Sequence, residues 1–210
     1  MTRIPFPSMN RALVAILRGI KPDETEAIID GLVEAGLTAI EIPLNSPEPF
    51  RSIEIAAKRA PDGVLIGAGT VLTVEDVDRL NDAGGRLMVS PNVDVAVIGR
   101  ASAFGMVTMP GVFSPTEALA ACAAGASALK FFPASVLGPS GINAMSAVLP
   151  PDVPIGAVGG VANEDFAAYA KVGIRTFGLG SSLYKKGMTA EEVALRGREA
   201  VAAYDALEIA

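Results

Sequence analysis

Eight short apolar runs punctuate the chain at near-even intervals. They begin at Leu13 (LVAILR), Thr38 (TAIEIPL), Val64 (VLIGAG), Arg86 (RLMVSP), Met106 (MVTMPG), Ser127 (SALKFFP), Ile155 (IGAVGG) and Arg175 (RTFGLG), with successive starts 20 to 28 residues apart. Each is followed by an amphipathic or Ala-rich stretch of helical length. The runs do not alternate apolar with polar, which marks strands covered on both faces, as in parallel sheets. Gly36, Gly84, Gly105, Gly125 and Gly173 each sit just before a run, where a helix can end in a left-handed residue. Pro22, Pro47, Pro115 and Pro139 follow runs, near helix starts. Eight βα units of even length predict a (βα)₈ TIM barrel rather than an open doubly wound sheet. No linker or low-complexity stretch divides the chain, so residues 1–210 read as one domain. Within it, residues 1–12 form an N-terminal extension or helix and residues 189–210 a C-terminal helix covering the barrel.

Composition narrows the chemistry. The 210 residues include one Cys and no His. Without histidine, Ser-His-Asp and Cys-His machinery is excluded, and the commonest metal ligand is missing. A single cysteine excludes an intrachain disulfide and a Cys-cluster zinc site; Cys122, on an Ala-rich stretch, reads as a packed small apolar residue. Acid–base work must fall to Asp, Glu, Lys, Tyr or water. The net charge of −6 argues against nucleic-acid binding. No uncharged apolar run approaches the ~18 residues a membrane helix needs. The opening MTRIPFPSMNR lacks the apolar core of a signal peptide, which makes the cytoplasm the expected compartment.

Barrel enzymes place chemistry in the loops after the strands, and few polar residues fall there. Lys130 stands at the end of the apolar run SALKFFP. Desolvation there would lower its pKa and supply a neutral amine able to form a Schiff base with a ketone. Otherwise it snorkels to the rim and pairs with a carboxylate. Glu41, in AIEIPL, is the one carboxylate inside any of the eight runs. It is the candidate for proton transfer, or else a structural ion-pair partner of Arg18 or Lys130. Arg18 at the end of the first run could clamp a carboxylate or serve a rim salt bridge. Thr70, in GAGT, could add a hydroxyl to the same carboxylate. Gly159-Gly160 and Gly180-Ser181 follow runs seven and eight, where barrels often bind phosphate on loop amides and a short helix; the bland reading is two tight turns. GAGTVL lacks the third glycine of a dinucleotide fingerprint, and no GxxxxGK[ST] P-loop exists. Lys185-Lys186 read as part of a solvated loop.

In order and spacing, AILRG, EIPLNSP, GAGTV, SPN, MPG, ALKFFP, AVGGV and GLGSSLY resemble the 2-keto-3-deoxy-6-phosphogluconate/6-phosphogalactonate aldolases, from about Leu13 to Tyr184. The resemblance implies a class I aldolase on a TIM barrel, needing no cofactor or metal, assembled as a homotrimer. It makes Lys130 the Schiff-base lysine and Glu41 the acid/base residue. Arg18 and Thr70 would bind the substrate carboxylate, while Gly159, Gly160, Gly180 and Ser181 would hold the phosphate. Pro91, Phe132 and Val158 would line the pocket. The gluconate branch carries an arginine four residues after the glutamate, where this chain has Asn45, and a threonine where it has Val158. Both departures imply the galactonate branch. Its substrate would be 2-dehydro-3-deoxy-6-phospho-D-galactonate and its products pyruvate and D-glyceraldehyde 3-phosphate. The C4 epimer, cleaved alone or as well, is the alternative within the family. Outside it stand a phosphate-binding barrel isomerase or synthase with Glu41 as base, and a non-catalytic phosphosugar-binding protein.

Overall fold

The apolar runs become strands that share one sheet. In a computed structural model, which describes residues 3–207, the chain opens with β1 (Leu13–Ile16), α1 (Pro22–Glu34), β2 (Ala39–Pro43), α2 (Pro49–Arg59) and β3 (Leu65–Gly69). It continues with α3 (Val74–Asp82), β4 (Leu87–Val89), α4 (Val95–Ala103), β5 (Val107–Met109), β6 (Gly111–Val112) and α5 (Pro115–Ala123). The last third holds β7 (Leu129–Phe131), α6 (Ala134–Ser146), β8 (Ile155–Val158), α7 (Phe166–Ala170), β9 (Thr176–Leu179) and α8 (Ala190–Asp205). All pairings are parallel, in the order β5-β4-β3-β2-β1-β9-β8-β7-β6. The two ends of that order, β5 and β6, are halves of one expected run, parted at Pro110. Proline has no N–H for the ladder, but its carbonyl still accepts from the Lys130 N–H at 3.0 Å. The ring therefore closes through the 107–112 segment, and the expected eight-unit barrel counts nine strands.

Two apolar clusters explain the orientation of the side chains. Leu13, Ala15, Ile40, Ile42, Leu129, Phe131 and Ala157 belong to the large core between sheet and helices. Val14, Ile16, Ala39, Leu87, Val89, Val107, Met109, Ala128 and Val158 form a second cluster inside the barrel. Successive strand residues point to opposite faces. Glu41 shares its face with Ala39, and Lys130 shares its face with Ala128, so both polar side chains face the barrel interior. The inside is tightly filled: a Cβ on Gly156 would collide with the Met109 methyl, and one on Gly178 with the Val158 side chain.

The helix punctuation matches the sequence in most places. Gly36, Gly84, Gly105, Gly125 and Gly173 all have φ between 72° and 98°. Pro22 and Pro115 open α1 and α5, and Pro139 starts the second limb of α6 beyond the non-helical Gly138. It is Pro49, not Pro47, that opens α2. Cys122 is half-buried against the core. The C-terminal helix ends at Asp205, and residues 208–210 lie outside the described part.

No helix forms at residues 3–12. Pro5 and Pro7 remove two donors and bias Ile4 and Phe6 toward extended backbone. The segment runs as a strap across the N-terminal end of the barrel, with Ile4, Phe6 and Met9 packed on the interior cluster. Arg3 pairs with Asp152 at 2.7 Å, and Arg11 makes a two-pronged pair with Asp205 at 2.6 and 2.7 Å. Among the described residues no helix is long and apolar enough to cross a membrane.

Candidate active site

The opposite, C-terminal end of the barrel opens into a cavity of about 520 Å³. Its lining brings together Arg18, Glu41, Lys130, Phe132, Val158, Gly159, Gly160, Gly180 and Ser181. Residues up to 163 positions apart in sequence share one chamber because each stands on a strand or just past its C-terminal end. Thr70 and Pro91 follow β3 and β4 at the same end of the barrel but are not among the lining residues. Thr70 has a left-handed backbone, φ 57°.

Glu41 and Lys130 are the buried pair at the chamber floor, 1% and 6% exposed. Burial pushes the Glu41 carboxyl up to about 7, against the opposing pull of the Lys130 and Arg18 charges and the Gly69 N–H. Burial likewise lowers the Lys130 ammonium; Glu41 works against that shift and Arg18 adds to it. Both groups are driven toward their neutral forms, the condition for an amine nucleophile beside a proton-carrying acid. They make no direct ion pair. The Lys130 Nζ lies 4.8 Å from the centre of the Phe132 ring, and Glu41 Oε2 is buried with no protein hydrogen-bond partner.

Gly69 is what leaves room for that carboxylate, since a Cβ there would overlap all of its terminal atoms. Gly69→Ala is expected to displace Glu41 and cut turnover on the order of 10²-fold, the effect of ångström-scale misplacement. Steady-state kinetics beside an unchanged circular dichroism spectrum check this. Retained activity would show that Glu41 needs no fixed position.

Arg18 is exposed at the cavity rim, its Nη1 donating to Asn45 Oδ1 at 2.5 Å. Side chains at positions 18 and 45 thus reach the same place, so either can deliver a guanidinium there. Across the chamber, Gly159 and Gly160 have φ of 90° and 72°. A Cβ on the first would press on the Phe132 ring and on the second on Ser135, so only glycine fits this turn. Among the described residues, no backbone carbonyl takes up the N–H of Gly160 or Ser181. Ser182 Oγ donates to the Val161 carbonyl at 3.0 Å and joins the two loops. After β9 the chain makes a turn, closed by the Leu183 and Tyr184 N–H groups on the Gly180 carbonyl at 2.9 Å, in place of a short helix.

Tyr184, Lys185 and Lys186 also line the cavity. The two lysines are solvent-exposed, as a solvated loop implies, yet the loop stands at the cavity mouth. The signal was present in the sequence: both lie between the eighth run and the last helix, on the face where barrels build sites. A larger cavity, about 630 Å³, lies under the strap at the other end of the barrel. It contains no carboxylate or lysine, and its arginines, Arg11 and Arg86, are engaged by Asp205 and by Asn81 with the Gly85 carbonyl.

A buried amine beside a carboxyl of raised pKa, with two glycine turns lining the same chamber at the strand ends of a parallel barrel, is an arrangement able to act on a carbonyl compound. The sequence pattern of the KDPG and KHG aldolases matches residues 8–196. A protein of Rhizobium meliloti (strain 1021) described as a probable 2-dehydro-3-deoxy-6-phosphogalactonate aldolase is 68% identical over 207 residues, 99% of this chain and 98% of that one. The 2-dehydro-3-deoxy-6-phosphogalactonate aldolase of Escherichia coli (strain K12) is 47% identical over 192 residues, 91% and 94% of the two chains. A solved native KDPGal structure superposes with a TM-score of 0.93 at 45% identity, covering 96% of this chain and 97% of that one. The chain belongs to the KDPG and KHG aldolase family, and its enzyme class is that of the carbon–carbon lyases.

Proposed function

We propose that the enzyme is a class I aldolase that reversibly cleaves 2-dehydro-3-deoxy-6-phospho-D-galactonate to pyruvate and D-glyceraldehyde 3-phosphate. The observation that carries this reading is the buried Lys130–Glu41 pair on one chamber floor with both groups driven toward neutrality. The Lys130 amine adds to the C2 ketone. Glu41, directly or through a water on its unpartnered Oε2, gives the proton that lets hydroxide leave as water, forming the iminium. The iminium accepts the electron pair of the C3–C4 bond as it breaks, and the C4 hydroxyl proton passes to Glu41. Glyceraldehyde 3-phosphate departs, the enamine is protonated at C3, and hydrolysis frees pyruvate and the amine. Arg18 and Thr70 hold the carboxylate; the amides of Gly159, Gly160, Gly180 and Ser181 hold the phosphate. Pro91 and Phe132 border the reacting carbons. Fixing both ends places C3–C4 over the amine, and orientation of this kind lowers barriers by several kcal/mol, up to about 10.

The choice of C4 epimer rests on the names of the two relatives and on two residues. Arg18 bonded to Asn45 delivers the guanidinium from β1, and Val158 faces the chamber as an apolar side chain. An apolar wall discriminates hydroxyl configurations less sharply than a hydrogen-bonding one. The test is an assay of both epimers. The wild type is expected to favour the galactonate epimer, and Val158→Thr to shift the ratio of kcat/KM toward the gluconate epimer about 10-fold. Faster cleavage of the gluconate epimer by the wild type would overturn the assignment. We further propose a cytoplasmic homotrimer. Leu72, Val95 and Phe113, 43–50% exposed after neighbouring strands, support an apolar contact between copies.

A further inference from the structure

We propose that Lys185 and Lys186 supply the positive charge of the phosphate site and set the enzyme's selectivity for a phosphorylated over an unphosphorylated sugar acid. The inference rests on the aldolase reading and extends it to two residues outside the glycine loops.

The first observation is a charge imbalance. In a chain of net charge −6, the chamber is lined by one acidic side chain, Glu41, and four basic ones, Arg18, Lys130, Lys185 and Lys186. Arg18 stands at the carboxylate end and Lys130 is consumed by the carbonyl. The glycine-loop amides can order a phosphate, but they bring no formal charge to offset a dianion. Among the described residues neither Lys185 nor Lys186 makes an ion pair. Each is free to meet a ligand without first giving up a protein carboxylate.

The second observation is that the backbone beneath the pair is fixed. The Met188 N–H donates to the Lys185 carbonyl at 3.1 Å and closes a turn around Lys186 and Gly187. Gly187 has φ 88°, the left-handed backbone that such a turn requires at its third position. The Lys185 N–H points back at Met188 Sδ, 3.2 Å away. Thr189, the residue after Met188, caps α8, so the turn is clamped between β9 and a helix end. The stem of Lys186 lies along Gly19, where a Cβ would come within 3.6 Å of the Lys186 Cβ. Lys186 thus lines the chamber with its stem set against the loop that follows β1. A lysine is suited to this task because a point charge on a long stem follows a phosphate without demanding bidentate geometry.

The experiment compares wild type with Lys185→Ala/Lys186→Ala in three assays. Loss of both charge-assisted contacts is expected to lower kcat/KM for the 6-phosphorylated substrate about 10- to 100-fold, and to flatten its dependence on ionic strength. Cleavage of the unphosphorylated analogue, and borohydride trapping of pyruvate, are expected to stay within about 2-fold. Binding of D-glyceraldehyde 3-phosphate, measured by calorimetry without turnover, is expected to weaken in parallel. Equal losses with phosphorylated and unphosphorylated substrates would overturn the proposal, as would unchanged glyceraldehyde 3-phosphate binding. If pyruvate fails to trap even on the wild type while glyceraldehyde 3-phosphate binding still depends on the lysines, the aldolase mechanism fails and this inference stands.

Discussion

Lys130→Met is expected to abolish cleavage, by on the order of 10⁴-fold or more, while leaving a folded and at least equally stable barrel. The loss of rate follows from removing the buried amine on the chamber floor that makes the iminium, because the bare ketone is a far weaker acceptor for the electrons of the C3–C4 bond. The stability follows from the surroundings. Lys130 is 6% exposed, faces the interior beside Val158 and Phe132, and is held by no carboxylate. Methionine keeps most of the stem and the contact with the Phe132 ring, and it removes a nitrogen whose charged form burial penalises. A thermal melt alongside the cleavage assay reads both consequences. A variant that loses activity by unfolding would instead make Lys130 a structural ion.

The second large effect is expected for Glu41→Gln. Turnover should fall about 10²- to 10⁴-fold, the usual contribution of a placed acid–base group. The pH dependence gives the more specific signature. The folded carboxyl holds its proton to about pH 7 against an ordinary 4.5, so the rate profile should carry an ionisation near neutrality that the glutamine enzyme lacks. Stability has a defined sign as well. Between pH 4.5 and 7 the folded state binds more protons at this site than the unfolded chain, and stability from this group is lost as pH rises. Below the unfolded value it is fully present. Glutamine cannot ionise, so relative to wild type the variant should gain about 2.5 kcal/mol between pH 5 and pH 8, from roughly 1.4 kcal/mol per pKa unit over the part of that window in which only the unfolded carboxyl ionises. Denaturant unfolding at the two pH values measures this. A constant difference would mean that Glu41 keeps an ordinary pKa.

Much of this was legible in the sequence, for reasons tied to particular residues. A charged residue inside an apolar run is costly to bury, so Glu41 and Lys130 stood out before any geometry was known. The barrel followed from the even spacing of the runs and from glycines that must adopt positive φ. What stayed hidden depends on side-chain direction and local competition. Pro110 splits a run that reads as continuous, because ladder pairing differs on its two sides. The N-terminal segment reads as an extension or helix until the prolines at positions 5 and 7 and two Arg–Asp pairs define a strap. The meeting of Arg18 with Asn45 joins residues 27 positions apart, a contact no local pattern encodes. Lys185 and Lys186 read as ordinary surface charge: their place after the eighth run puts them on the functional face, but nothing in a KKG triplet tells which way its turn points.

The central claim is that the Lys130 nitrogen becomes covalently bonded to the keto acid. Treating the enzyme with pyruvate and sodium borohydride, then mapping the modified peptide by mass spectrometry, tests it most directly. The account predicts one reduced pyruvate adduct per chain, located on Lys130, with matching loss of cleavage activity. Cleavage that survives unmodified, or an adduct that maps to another lysine, would contradict it.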